Sequence, residues 1–315
     1  MIQQIVQLIT RYNKPIFIVL FVCCLLPFVT PAIALFAGLA FALTAGQPYP
    51  KFSKKTSKYL LQFSVVGLGF GMNLYASLQS GKEGMLFTIV SVFAVLALGM
   101  WLGKRLLIDR KTSYLIAAGT AICGGSAIAA VGPVVKADDN QMSMSLGTIF
   151  ILNAIALFIF PPIGHLLGLT QEQFGLWAAI AIHDTSSVVG AGAAYGETAL
   201  EIATMVKLTR ALWIIPITIL TMFLFKQKGA KITIPWFILF FILAMVANTF
   251  LSLPEALTRS VVWAAKQGLT LTLFLIGAGL SRQVIRQVGI RPMVQGVLLW
   301  IFIGAISLGV ILLES

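Results

Sequence analysis

Apolar runs of about 17 to 25 residues recur along this chain, separated by short loops in which the basic residues collect. A polypeptide with that pattern has few ways to fold. In hydrocarbon every backbone N–H and C=O must find a partner within the protein, so spanning segments are helices or strands of a closed barrel, and runs of this length are helices. Composition agrees: 59% of the 315 residues are hydrophobic and only 10% are charged, against about a quarter charged in a soluble domain. The sequence predicts an all-α integral membrane protein, with residues 1–315 forming a single polytopic transport domain.

Apolar segments can be marked at 15–28, 31–45, 59–78, 85–102, 113–136, 142–164, 174–195, 199–225, 234–251, 261–280 and 292–313. The first could pass for a signal peptide, but the second follows at once and reads as the return arm of a hairpin. If every segment goes all the way through, there are about 11 transmembrane helices.

The loops supply a check, because cytoplasmic loops gather Lys and Arg. With the amino terminus inside, 16 of the 22 basic residues fall in inside segments: Arg11, Lys14 and the clusters at 51–58, 104–111, 226–231 and 282–291. Lys82, Lys136 and Arg259 fall outside, while Lys207, Arg210 and Lys266 lie within spans. The amino terminus is therefore expected in the cytoplasm of a bacterial cell, the chain in the inner membrane and the carboxyl terminus outside. One loop, 165–173, is placed inside yet carries no Lys or Arg. The same distribution accounts for the net charge of +12 without a nucleic-acid partner; the partner implied is the lipid bilayer.

Two segments cannot be uninterrupted helices. Between Ser113 and Lys136 lie Gly119, Gly124, Gly125, Gly132 and Pro133, each weakening a helix. About 60 residues later, IHDTSSVVGAG from Ile182 places a carboxylate, hydroxyls and glycines mid-span. The next segment carries Glu201, Lys207 and Arg210, and Arg210 falls about 3 Å from its centre at 1.5 Å rise per residue. A charge at the bilayer centre costs about 2.5–3.5 kcal/mol, so each is expected to face a partner or a cavity.

A candidate site follows. Backbone N–H groups around Cys123, Gly124, Gly125 and Ser126, at the start of a half-helix, would bind an anion together with Lys207 and Arg210, which share a helix face at i, i+3. Asp184 and Thr185 would take a coupling Na⁺ or H⁺, His183 would carry a proton, and Glu201, about 13 Å from Arg210 toward the outer surface, would support them. The plainer readings stay open: a structural ion pair of Asp184 with Arg210 or Lys207, small residues serving close packing, Lys207 reaching toward the surface. Cys123, His183 and Asp184 have the residue types of a thiol nucleophile with its base, but nothing in their spacing requires them to meet, so no enzyme is expected. Cys23, Cys24 and Cys123 imply no disulfide framework. His165 and His183 offer no metal spacing, and no cofactor is implied.

Two internal repeats can be traced. A shift of 208 residues pairs Gly69, Gly71, Gln79, Gly81 and Met85 with Gly277, Gly279, Gln287, Gly289 and Met293, an inverted relation between spans three and four and spans ten and eleven. A shift of 60, matching Ala121-Ile122-Cys123 to Ala181-Ile182-His183, is weaker.

The central third of the chain resembles a family of bacterial inner-membrane proteins named for sulfate export. The resemblance rests on GTAICGGSAIAAVGPVVKA from Gly119, AIHDTSSVVGAG from Ala181 and ALEIATMVKLTR from Ala199, in that order and spacing. Gly125 and Ser187 stand where the family commonly has amides, which removes polar groups from the expected cavity. The resemblance implies a multi-span secondary carrier with crossed, interrupted helices, grouped with cation/proton antiporters and bile-acid-type symporters. The expectation is thus a secondary transporter of a small anion, sulfate or an organic sulfonate, working by alternating access. The alternatives are a cation/proton antiporter with Asp184 as the ion-binding carboxylate, and a membrane scaffold that transports nothing. A homodimer is compatible with each.

Overall fold

The computed structural model describes residues 12–26, 28–75, 85–225, 236–251, 253–280 and 288–313. Every regular element among them is helical: α1 (Asn13–Cys23), α2 (Pro31–Ala45), α3 (Pro50–Gly69), α4 (Met85–Arg105), α5 (Arg110–Ala121), α6 (Gly125–Val131), α7 (Asp139–Leu166), α8 (Gln171–Ala181), α9 (Thr185–Tyr195), α10 (Glu197–Ala211), α11 (Ile214–Leu224), α12 (Trp236–Phe250), α13 (Glu255–Gly279) and α14 (Ile290–Leu313). Five stretches among the described residues are long and apolar enough to cross a bilayer: Thr88–Arg105 within α4, α7, α10 with α11, α13 and α14. The helices α1, α2 and α12 are apolar but shorter.

Where the sequence suggests one domain, the helices gather into two compact units, one of α1–α3, α12 and α13, the other of α4–α11 and α14. No linker advertises this, because the units interleave along the chain and share no single boundary.

In the first unit α13 is the axis, and backbone meets backbone where it passes α2. A Cβ on Gly38 would collide with the Phe274 carbonyl, and one on Gly277 with the Leu35 carbonyl, a reciprocal close approach that small residues permit. Phe17, Phe41 and Phe274 close the layer beside it, with ring centroids 5.4–5.8 Å from Phe17.

The second unit holds the interrupted segments, and each of them doubles back on itself. Lys111 Nζ donates to the Lys136 carbonyl at 2.7 Å, Gln141 Nε2 to Asp109 Oδ2 at 2.8 Å, and Ser145 Oγ to the Thr112 carbonyl at 3.4 Å. The start of α7 therefore lies beside the start of α5, although α5, α6 and a tight turn intervene. A span running straight through would part those ends by about 30 Å. The segment 113–136 is a helical hairpin, out along α5 and back along α6. Its return arm runs antiparallel to α7: Gly125 lies against Phe150 and Gly132 against Met142.

The second interrupted segment behaves alike. Gln171 Oε1 accepts from Thr198 N at 3.0 Å and from Ala199 N at 3.4 Å, and Tyr195 O–H donates to the Leu169 carbonyl at 2.6 Å. So α8 enters, α9 returns, and α10 begins where α8 began. This hairpin opens at the carboxyl end of α7 and the first at its amino end. Since α7 has 28 residues, the mouths lie at opposite ends of about 42 Å of helix.

The pair α10–α11 joins those ends. Its first turn meets Gln171, and at its far end Thr221 is hydrogen-bonded to Tyr114 at 2.6 Å while Phe225 lies under Arg110. Asp138 caps α7 through a capping box with Gln141, as two aspartates ahead of a span suggest. Gln295 of α14 ties α4 to α5, donating to the Gly99 carbonyl at 2.8 Å and to Ser113 Oγ at 2.9 Å.

Candidate functional site

The hairpins turn at matching places. α5 ends at Ala121 and α6 starts at Gly125; α8 ends at Ala181 and α9 starts at Thr185. A shift of 60 residues superposes one break on the other, so the fainter sequence match is the one the hairpins embody. The shift of 208 leans on Gln79, Gly81 and Gln287, which lie outside the described residues.

At the first tip Gly124 has φ +68°, a region L side chains avoid. A Cβ there would also come within 3.2 Å of the His183 carbonyl and 3.3 Å of Asp184 Cα. The absence of a side chain thus lets the two tips touch. At the second tip Asp184 is extended, with φ −100° and ψ 141°, and caps α9: its carboxylate accepts from Ser187 N at 3.3 Å and from the Ser186 hydroxyl. Halfway along α7, Asn153 Oδ1 holds this tip in place, accepting from His183 N at 2.9 Å and Asp184 N at 3.2 Å.

Four helix ends converge here, two carboxyl-terminal from α5 and α8 and two amino-terminal from α6 and α9. The carboxyl ends present unpaired carbonyls and the negative end of the helix dipole. The basic pair on α10 meets them. Arg210 Nε donates to the Ala121 carbonyl at 2.6 Å and Nη1 to the Ile180 carbonyl at 3.0 Å, so one guanidinium bridges both hairpins. Lys207 Nζ donates to the Ile182 carbonyl at 2.7 Å and the Ala179 carbonyl at 3.3 Å. Both side chains are fully buried. Their i, i+3 spacing puts them on one face, which is what reaching two neighbouring breaks requires.

The other candidates are distributed unevenly around the contact. Cys123 is buried with a free thiol, Gly125 is half-buried and Ser126 exposed. His183 is fully buried, Thr185 nearly so as the first residue of α9, and Asp184 half-buried. Among the described residues no ion pair within 4.0 Å joins Asp184 to Lys207 or Arg210: the carboxylate serves its own helix and the cations serve carbonyls. Glu201 is exposed on α10, away from the tips.

Sequence reasoning passes over Asn153, the residue that fixes the second tip. Its signal was available, a lone amide at the middle of an otherwise apolar span. Thr120, buried beside Ala121, carries no such signal.

The family model described as conserved hypothetical protein 698 matches residues 27–296. Among similar proteins, a UPF0324 membrane protein of Bacteroides thetaiotaomicron is 65% identical over 286 residues, covering 90% of this chain and 86% of its own length. Another, of Porphyromonas gingivalis, is 60% identical, covering 90% and 87%. A third, of Photobacterium profundum, is 49% identical, covering 96% and 93%. No solved structure matches.

Proposed function

The chain belongs to the conserved hypothetical protein 698 family, whose relatives are named membrane proteins, and from that premise we propose that it is a secondary active transporter moving a small anion by alternating access. The observation that carries this reading is the tip contact of two re-entrant hairpins with mouths on opposite sides. A solute held between such tips can be released to either side by moving one hairpin, without opening a continuous pore.

Charge favours an anion. Lys207 and Arg210 are fully buried, Asp184 is the carboxylate at the same tip contact, and the two helix ends of each sign offset one another. One positive charge is left near mid-membrane, and a bound anion would balance it. Lys207 Nζ and the Nε and Nη1 of Arg210 are engaged by carbonyls, so these atoms act on the solute mainly as fixed charge, and Arg210 Nη2 remains to donate. Direct contacts fall to the tips: Gly125 and Ser126 on one, Asp184 and Thr185 on the other. Sulfate and organic sulfonates are the solute classes that the sequence resemblance suggests, with H⁺ or Na⁺ at Asp184 as the coupling ion.

A specific observation also favours the antiporter alternative. Asp184 is the half-buried ionisable group of the contact, beside the hydroxyls of Thr185 and Ser186, which is the ligand chemistry a small cation uses.

Sidedness is part of the same proposal, in which both interrupted segments re-enter the membrane. Removing two crossings leaves nine and places Lys136 inside together with the loop clusters, so 17 basic residues are cytoplasmic against Lys82 and Arg259 outside. The loop 165–173, without Lys or Arg, moves outside, where the positive-inside rule allows it. The termini keep their assigned sides, amino inside and carboxyl outside.

Purified protein in proteoliposomes, loaded in turn with sulfate, an alkyl sulfonate, nitrate and chloride under imposed Na⁺ and pH gradients, tests the reading. Gradient-dependent flux of an anion, lost in Arg210→Ala, is the expected result. Flux of Na⁺ or H⁺ with no anion movement would favour the antiporter, and no flux of any of them would end both.

A further inference from the structure

Five side-chain atoms of the tip contact are buried without a hydrogen-bond partner: Arg210 Nη2, Asn153 Nδ2, both ring nitrogens of His183 and Thr120 Oγ1. They belong to residues already linked. Arg210 reaches Ala121, which follows Thr120, and Ile180; Asn153 holds the backbone of His183. The Asn153 side-chain oxygen is used, since it takes two N–H groups. The unused atoms of Arg210 and Asn153 can only donate, while His183 and Thr120 can do either. A buried donor left without a partner is destabilising, so the Arg210 and Asn153 atoms are matched to an acceptor.

We infer that the tip contact selects a monovalent anion over a divalent one, with Asn153 and Arg210 as the residues that determine specificity. The inference rests on the transporter reading and deepens it. Lys207 and Arg210 against Asp184 leave a single surplus positive charge, and Lys207, Arg210, Asn153 and His183, each 0–3% exposed, are shielded from bulk water while Asp184 is half-buried. The cost of drying an ion grows with the square of its charge, so a dianion requires about four times as much as a monoanion. A site with one surplus charge and two donor-only groups compensates a singly charged oxyanion, such as an alkyl sulfonate or nitrate. It leaves sulfate half-neutralised.

The test is thermal stabilisation of the purified full-length protein by sodium methanesulfonate, sodium nitrate and sodium sulfate at equal ionic strength. Half-maximal stabilisation by methanesulfonate at a concentration at least about tenfold below that for sulfate is expected. Sulfate acting at the same or lower concentration would overturn the inference and leave the transporter reading standing. No effect of any anion, with no flux in proteoliposomes, would overturn both. Asn153→Asp adds a second readout: it keeps the oxygen that receives His183 N and Asp184 N, loses the Nδ2 donors and cancels the surplus charge. Loss of methanesulfonate stabilisation in this variant supports the inference, and unchanged stabilisation opposes it. Should the variant not fold, the wild-type anion series decides.

Discussion

Arg210 does at one position what the chain elsewhere does with many. Its Nε and Nη1 close the carboxyl ends of α5 and α8, so the side chain that looks like a solute ligand in sequence is also what holds two breaks together. Lys207 does the same for α8 alone. Replacing it with Met keeps the length and apolar stem but strips a donor from two buried carbonyls, at about 1–3 kcal/mol for each acceptor left unmade. The expected outcome is a clear fall in the melting temperature of detergent-purified protein, and an unchanged value would mean that those carbonyls find other partners. Gly124→Ala tests the opposite kind of requirement. With φ at +68° and the His183 carbonyl 3.2 Å from an added Cβ, the variant carries backbone strain of about 1–2 kcal/mol and pushes the tips apart. Both a lower melting temperature and slower anion flux are expected.

At the scale of elements, each hairpin is fixed at its mouth by polar side chains and at its tip by one amide or glycine. Asp109 is the clearest case, capping α5 through Lys111 N at 3.0 Å and Thr112 N at 3.1 Å while accepting from Gln141 of α7. Asp109→Ala removes an N-cap, worth about 0.5–2 kcal/mol, together with the tie that turns the hairpin back. Raised hydrogen exchange across α5 and α6 with α13 unaffected is the outcome to look for. The helices themselves were legible in sequence, since the glycines at 124 and 125 announced where α5 stops and the polar run from His183 where α8 stops. Whether the chain then continues or returns was not. An α6 of seven residues has the same local composition in either case, and the hydrogen bonds that decide it, Lys111 to Lys136 and Gln171 to Thr198, join positions 25 and 27 residues apart.

For the whole molecule, re-entrance changes which loops share a side. A reporter enzyme active only outside the cytoplasm, fused after Gly168, should be active if both interrupted segments return, and inactive if both cross. In a background without native cysteines, Lys104→Cys and Asp139→Cys should be labelled by an impermeant maleimide from the same face. Labelling from opposite faces would restore the straight-through reading. Two interleaved units also mean that no single cut in the sequence separates one from the other, because α14 completes the second unit after α12 and α13 have gone to the first.

Membrane residence, helicity and the level at which the backbone breaks were settled by the sequence, because hydropathy, glycine content and the cost of buried charge act over a few residues at a time. The direction taken after each break, the meeting of the tips at Gly124 and His183, and the use of Lys207 and Arg210 as partners for helix ends were decided only by tertiary structure. Those outcomes depend on which carbonyls lie beside which donors once α5, α7, α8 and α10 have packed, and local composition carries no record of that.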